Sequence, residues 1–294
     1  MATGFTDIHC HGGGGYSFSD SNPGHIQIAI DTHKAHGTTT QIASLVTEPL
    51  DALKIQIKNL IPFVESGVLA GIHLEGPYLS HARCGAHDPA LLRAPKLDEI
   101  KELLDAGKGH IKMLTIAPEL PGALETIAYL RSIGVTAAIG HSDATFDEAV
   151  AGIKAGATVV THMFNGLPAL DHREATVTNA LLVNPDIYFE IILDGTHVND
   201  SAMELMLKLA ADRIILVTDA MSAAGGKDGR YKIGDLDVNV SGGVATLVSN
   251  GSLAGSTLTM DSAHDRLVRD HGVNADIAKS ATVELGKKVL SLWI

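Results

Sequence analysis

Two cysteines, Cys10 and Cys84, are all that this 294-residue sequence holds. They are too few for a disulfide framework, so a reducing compartment is the simpler expectation. Basic residues are also scarce: 22 Lys and Arg stand against 34 Asp and Glu, a formal net charge of -12. Affinity for a phosphate backbone rests largely on cationic side chains, so no nucleic-acid partner is expected. A phosphorylated metabolite stays open, because it needs only one or two local cations or backbone amides. No apolar run is long enough to span a bilayer, which argues against a membrane partner. The opening Met1-Ala2-Thr3-Gly4-Phe5-Thr6-Asp7 has neither the basic patch nor the apolar run of a secretory leader. A cytoplasmic globule is expected.

Histidine is what the sequence has in excess, 15 in all. Most histidines in a soluble protein are surface or hydrogen-bonded core residues, so position must decide which matter. Apolar runs rich in Val, Ile and Thr alternate with helical patterns for nearly the whole length. Strands are expected at 5–9, 38–45, 68–74, 112–117, 135–140, 158–162, 188–193 and 213–218. Helices are expected between them, including 49–65, 97–106, 123–132, 145–155 and 200–210. The strands read as continuous apolar runs, which suits parallel strands buried on both faces. Eight such units predict a TIM-like (β/α)8 barrel spanning 1–294 as one catalytic domain; a doubly wound open sheet is the competing layout. After strand eight, residues 231–255 alternate polar and apolar around Ser241-Gly242-Gly243 and Asn250-Gly251, predicting an inserted β-hairpin.

The unusual polar residues fall at the C-terminal ends of these strands, the rim where barrel active sites are built. Strand one ends in His9-Cys10-His11, and alternation turns both imidazoles to one side and Cys10 to the other, toward helix packing. Strand three ends in His73-Leu74-Glu75, where an apolar strand closed by a carboxylate calls for a partner or a cation. Strands five, six and eight end in His141, His162 and Asp219. A satisfied core group is the better reading for any one histidine alone. Five rim positions together predict a divalent-metal site with imidazole and carboxylate ligands and a place for water. Such an ion acidifies its water and polarises a carbonyl, and Asp219 is the natural base.

These residues resemble the amidohydrolase superfamily. Several strings are more specific: Asp7-Ile8-His9-Cys10-His11-Gly12, His73-Leu74-Glu75-Gly76-Pro77, Gly85-Ala86-His87 and Gly140-His141-Ser142. With them go Thr161-His162-Met163-Phe164-Asn165, Asp194-Gly195-Thr196-His197, Thr218-Asp219-Ala220-Met221 and Leu253-Ala254-Gly255-Ser256. In that order they are similar to the N-acetylglucosamine-6-phosphate deacetylase family. The resemblance implies removal of the acetyl group from N-acetylglucosamine 6-phosphate in amino-sugar metabolism. It implies Glu75, His141 and His162 as ligands of the principal metal, zinc or iron, and His9 and His11 as the means to hold a second. It gives Asp219 the role of general base and then acid, with His87 beside the reacting amide. Ala86, Asn165, Gly166, Arg173, His197 and the segment Leu253, Ala254 and Gly255 are implied in substrate binding, Arg173 at the 6-phosphate. A homodimer is implied, with part of the phosphate site drawn from a neighbouring subunit.

Three features qualify the resemblance. Strand four ends in Thr115-Ile116-Ala117, without the lysine that bridges two metals in cyclic-amide hydrolases. The run Gly12–Gly15 lacks the Gly-Lys-Ser/Thr ending of a phosphate loop and is expected as a flexible rim turn. The flanking segments that build a small β-domain in the family are expected to be absent, leaving an apolar patch on the barrel wall. The alternatives are another amidohydrolase, such as a deaminase or cyclic-amide hydrolase, or a truncated barrel that binds metal or sugar phosphate without turnover.

Overall fold

Eight strands line up in chain order as one parallel sheet: β1 (Phe5–Asp7), β2 (Thr38–Leu45), β3 (Gly71–Glu75), β4 (Ile111–Ile116), β5 (Thr136–Ile139), β6 (Val159–Val160), β7 (Tyr188–Ile191) and β8 (Ile214–Leu216). This computed structural model describes residues 4–291, so 1–3 and 292–294, at the two ends of the sequence, lie outside the described residues. The sheet closes on itself just past β1 and β8. Cys10 bridges Ala220 in parallel, and the amides of Asp219 and His11 donate to the carbonyls of His9 and Ala220, each at 2.8 Å. Closure removes both sheet edges and decides for the barrel over the open doubly wound sheet.

One helix follows each strand: α1 (Pro23–Ala35), α2 (Leu50–Glu65), α3 (Leu97–Ala106), α4 (Ala123–Ser132), α5 (Phe146–Ala155), α6 (Val177–Val183), α7 (Asp200–Ala210) and α8 (Met260–Arg269). Their starts are written locally. Asn22 caps α1, with Pro23 at its first position; Thr145 and Glu148 form a capping box on α5; Asn199 caps α7. Two short helices, α9 (Ala275–Lys279) and α10 (Leu285–Val289), are joined by a π-helical turn at Ser280–Glu284, and that turn and α10 pack back across β1 and β8. Among the described residues no helix is long and apolar enough to cross a membrane.

Strand alternation sorts the barrel. On β3, Ile72 and Leu74 are fully buried in the apolar layer under the helices, while His73 and Glu75 meet partners from other strands. Each fully buried aliphatic chain of this kind contributes about 1.5–3 kcal/mol. β5, β6 and β8 stop short of their expected ends for a shared reason. The backbone turns left-handed at His141 (φ 48°), His162 (φ 28°) and Asp219 (φ 46°), which ends pairing and swings those side chains over the rim.

Between β8 and α8 lie β9 (Gly229–Ile233), β10 (Leu236–Ser241) and β11 (Val244–Leu247), a three-stranded antiparallel sheet where a hairpin over 231–255 is expected. Its inner face packs Val238, Ala245 and Leu247 against Ala254, Met221 and Val46, so the sheet is seated on the rim. Gly12–Gly15 forms the turn expected at the rim, as the tip of a small hairpin tied to its surroundings. Gly12–Gly13 pairs with Tyr16–Ser17, and the Gly14 and Gly15 amides donate to the carbonyls of Ala224 and Ser222 at 2.7 and 2.8 Å.

Candidate active site

Glu75 lies at the centre of the rim. One of its oxygens, Oε1, stands 3.2 Å from His141 Nε2 and 3.0 Å from His162 Nε2, which are 3.1 Å from each other. The other, Oε2, faces His11 Nε2 at 3.1 Å and His9 Nε2 at 3.6 Å. Those two nitrogens are also 3.1 Å apart, and Asp219 Oδ1 approaches them at 3.4 and 3.3 Å. Strands one, three, five, six and eight thus deliver two groups, each of a kind that could hold a metal ion, that share one carboxylate: Glu75, His141 and His162, and Glu75, His9, His11 and Asp219. All six side chains are buried.

Local structure fixes the rings. His141 is pressed between Gly85 and Gly166, both at positive φ, where an added Cβ would come within 2.9 Å of the imidazole. Its Nδ1–H donates to the Arg83 carbonyl at 2.8 Å, which leaves Nε2 bare toward Glu75. Glu119 clamps the following turn, accepting from the Ser142 hydroxyl and the Asp143 amide at 2.7 Å each. His87 receives the Thr47 amide on Nδ1 at 3.4 Å, so Nε2 carries its proton and points toward Glu75 Oε2 at 3.6 Å. Strand four contributes Thr115 in place of a lysine: its hydroxyl meets His73 Nε2 and Thr161 Oγ1, both at 2.8 Å.

The electrostatics follow from this crowding. Burial opposes charge on Glu75, but His9, His11, His141 and His162 hold it well below the usual carboxylate range. Burial likewise opposes charge on Asp219, yet His9 and His11 bring it down to about 2. His11 is lifted to about 9 against its own burial by the carboxylates of Asp219 and Glu75. His87, with burial as the largest cause, falls to about 3 and is neutral. The result is a neutral donor and an ionised carboxylate side by side.

Above the cluster opens a cavity of about 300 Å³. Ala86, His87, Asn165, Gly166, His197, Leu253 and Gly255 line it, as do Glu75, His141, His162 and Asp219. His197 is oriented by Asp194, whose Oδ2 accepts from Nδ1 at 2.7 Å. Ala254 is fully buried instead, packed beneath the three-stranded sheet, with its amide donating to Ala245. Arg173 is not brought to the cavity: it is exposed on the loop after β6, its amide held by Asp171.

Reading strand ends overlooked several residues. Val46, just past β2, and Ile233, at the end of β9, are cavity walls. Glu190 and Asp7 are fully buried carboxylates, on β7 and β1. A single charge inside Tyr188-Phe189-Glu190-Ile191-Ile192-Leu193 is the available clue for the first.

No protein-family model matches the chain. It is 36% identical over 278 residues to the N-acetylgalactosamine-6-phosphate deacetylase of Escherichia coli O157:H7, covering 93% of this chain and 73% of that one. It is also 36% identical over 268 residues to the N-acetylglucosamine-6-phosphate deacetylase of Lysinibacillus sphaericus, covering 90% and 69%. Among solved structures, a mutant N-acetyl-D-glucosamine-6-phosphate deacetylase from Mycobacterium smegmatis, in complex with N-acetyl-D-glucosamine-6-phosphate, superposes with a TM-score of 0.95. That match has 42% identity and covers 98% of this chain and 77% of that one. On sequence, fold and rim, the chain belongs to the N-acetylglucosamine-6-phosphate deacetylase family.

Proposed function

We propose that the chain is a metal-dependent hydrolase that converts N-acetyl-D-glucosamine 6-phosphate to D-glucosamine 6-phosphate and acetate. The observation that carries the reading is Glu75, each of whose oxygens meets a different pair of imidazoles on the floor of the cavity. The donor set fits a divalent cation. Nitrogen and oxygen ligands at about 2.0–2.1 Å from one centre stand roughly 3–3.5 Å apart, close to the separations within each group. Glu75, His141 and His162 would hold the principal ion, and His9 and His11 with Glu75 a second; zinc or iron suits imidazole and carboxylate. When bound, such an ion polarises the acetamide carbonyl and acidifies water.

The side chains supply the proton transfers. Water adds to the acetyl carbon while Asp219, an ionised base at neutral pH, takes its proton. As the C–N bond breaks, Asp219 returns that proton to the sugar nitrogen, leaving the amine and acetic acid, whose own proton is lost to give acetate. His87, neutral with Nε2–H toward the cavity, donates to the carbonyl oxygen as charge develops on it. Ala86, Asn165, Gly166, His197 and the Leu253–Gly255 turn surround the sugar. Because Arg173 is exposed in its own subunit, its phosphate contact is assigned to the cavity of a neighbouring copy in a homodimer. Leu170, 52% exposed on the same loop, and Val183, 71% exposed on α6, support an interface there. The enzyme acts in the cytoplasm, in amino-sugar catabolism.

The test is acetate release by the metal-loaded protein from N-acetylglucosamine 6-phosphate, its unphosphorylated sugar and the galactosamine epimer. Fast turnover of the first substrate alone fits the reading. Preference for the epimer would favour the activity of the Escherichia coli relative. Bound metal without acetate release would point to a binding protein.

A further inference from the structure

Glu190 sits in the middle of β7, fully buried, with its neighbours Phe189 and Ile191 in the apolar core. A carboxylate so placed is costly unless it is engaged. Its Oε2 lies 2.9 Å from His9 Nδ1 and also accepts the backbone amide of His162 at 3.3 Å, while Oε1 has no hydrogen-bond partner. We infer that Glu190 is a positioning residue that fixes His9 as a ligand and couples the two halves of the metal centre.

The inference rests on the metal-site reading above and concerns a residue outside both ligand groups. A carboxylate only accepts, so the contact puts a proton of His9 on Nδ1 and reserves Nε2 as the nitrogen that can turn to a metal ion. That nitrogen faces His11 Nε2 at 3.1 Å, Asp219 Oδ1 at 3.4 Å and Glu75 Oε2 at 3.6 Å. The other three rings have weaker outer support. His141 leans on a neutral carbonyl, and Nδ1 of His11 and of His162 is buried without a partner. His9 is also held from its flank by His73, edge-on at 4.7 Å, whose nitrogens are engaged by Ser44 and Thr115. A negative partner behind an imidazole raises its strength as a ligand and fixes its tilt. The second contact, to the His162 amide, ties the left-handed turn that presents His162 to the same oxygen. One buried oxygen therefore sets a ligand of each group.

Glu190→Gln keeps the volume and removes the charge; Glu190→Leu removes the polar group and is free of any buried charge. Each is titrated with Co2+ and Zn2+ after chelation, with bound metal counted by elemental analysis and the imidazole 15N shifts recorded. The wild type should bind two equivalents and report His9 protonated at Nδ1. Both variants should bind the second equivalent roughly 10–100-fold more weakly and the first, through the His162 turn, more weakly by a smaller factor, with altered His9 shifts. A single equivalent in the wild type, weakening of the first site alone, or no weakening at either would overturn the inference. Acetate release by the same wild-type preparation tests the deacetylase reading separately. Two tight equivalents without acetate would sink that reading and leave the role of Glu190 standing.

Discussion

The first strand and its extension serve two clusters rich in metal-binding residue types, and only one of them has the form of a metal centre. At the rim, Nε2 of His9 and His11 converge on Glu75 and Asp219 with imidazole nitrogens only 3.1 Å apart. On the other side, Asp7, Cys10 and His33 lie close enough together to resemble a three-residue site. There, however, the atoms that face one another are spoken for. Asp7 accepts from the Thr218 hydroxyl and amide and from the His9 amide. His33 Nε2 donates to the Gly12 carbonyl at 2.8 Å, and Cys10 Sγ accepts from Gln41 at 3.2 Å. The rim cluster crowds acceptors against acceptors and needs a cation or protons to hold it together. The outer cluster pairs donors with acceptors and is a strut. Hydrogen-bond satisfaction, more than residue type, separates a site from a core.

The sharpest way to break this comparison is to remove the shared carboxylate. Glu75→Gln should lose both metal equivalents and all measurable acetate release; retention of one full equivalent would mean that the two groups do not share Glu75. Asp219→Asn should lower kcat by about 10²–10⁴ while the Glu75–His141–His162 ion stays bound, since proton transfer and not ligation is removed there. Turnover near the wild-type rate would end its assignment as base. His33→Leu is the counterpart on the outer cluster. It breaks the bond to Gly12 and should cost about 1–3 kcal/mol of stability, read as a lower melting temperature, with metal content unchanged. Loss of metal in that variant would erase the distinction between the clusters.

The rim cluster should also answer to pH. His11 has a folded-state value of about 9 against an ordinary 6.5, so its protonated form stabilises the metal-free fold fully below about pH 6.5. That contribution drains away as pH rises through 9. A metal ion must displace the same proton, so its affinity should climb over this window and level off above it. The metal-free protein should therefore lose melting temperature between pH 6.5 and 9 while the loaded protein does not. Parallel curves for the two forms would mean that His11 does not exchange a proton for metal.

Much of this was legible in the residues. The spacing of His9 and His11 put two rings on one side, and Glu75 stood out as a charge closing an apolar strand. Helix spans such as 97–106 and 200–210 followed from apolar periodicity and appear unchanged in the fold. Glu190 escaped because it lies in mid-strand and its partner is 181 residues away. His33 was hidden for a similar reason: on α1 it reads as one more helix residue, and only the fold lays it beside Cys10. The left-handed turns at His141, His162 and Asp219 leave no trace in composition, because glycine or asparagine is the usual occupant of that conformation. Arg173 shows the opposite limit. Its charge suits a phosphate, yet a side chain's chemistry does not say which cavity, or which copy of the chain, it will reach.

The smallest predicted effect tests the outer cluster without any mutation. Burial, aided by the nearby Asp7 carboxylate, pushes the Cys10 thiol up to about 12, so thiolate is scarce at any working pH. Its sulfur is also enclosed by His33 and Gln41, with no solvent exposure. Cys84, on the loop ahead of His87, is only half-buried. A thiol reagent applied to the native protein at pH 8 should therefore modify Cys84 alone, and both cysteines after unfolding. Rapid native labelling of Cys10 would show that the strut opens, and an opening there would loosen the extension of β1 at the residue between the two rim histidines. Metal loading should slow any residual labelling, because the same strand segment carries His9 and His11. Equal rates with and without metal would instead mean that the two clusters move independently.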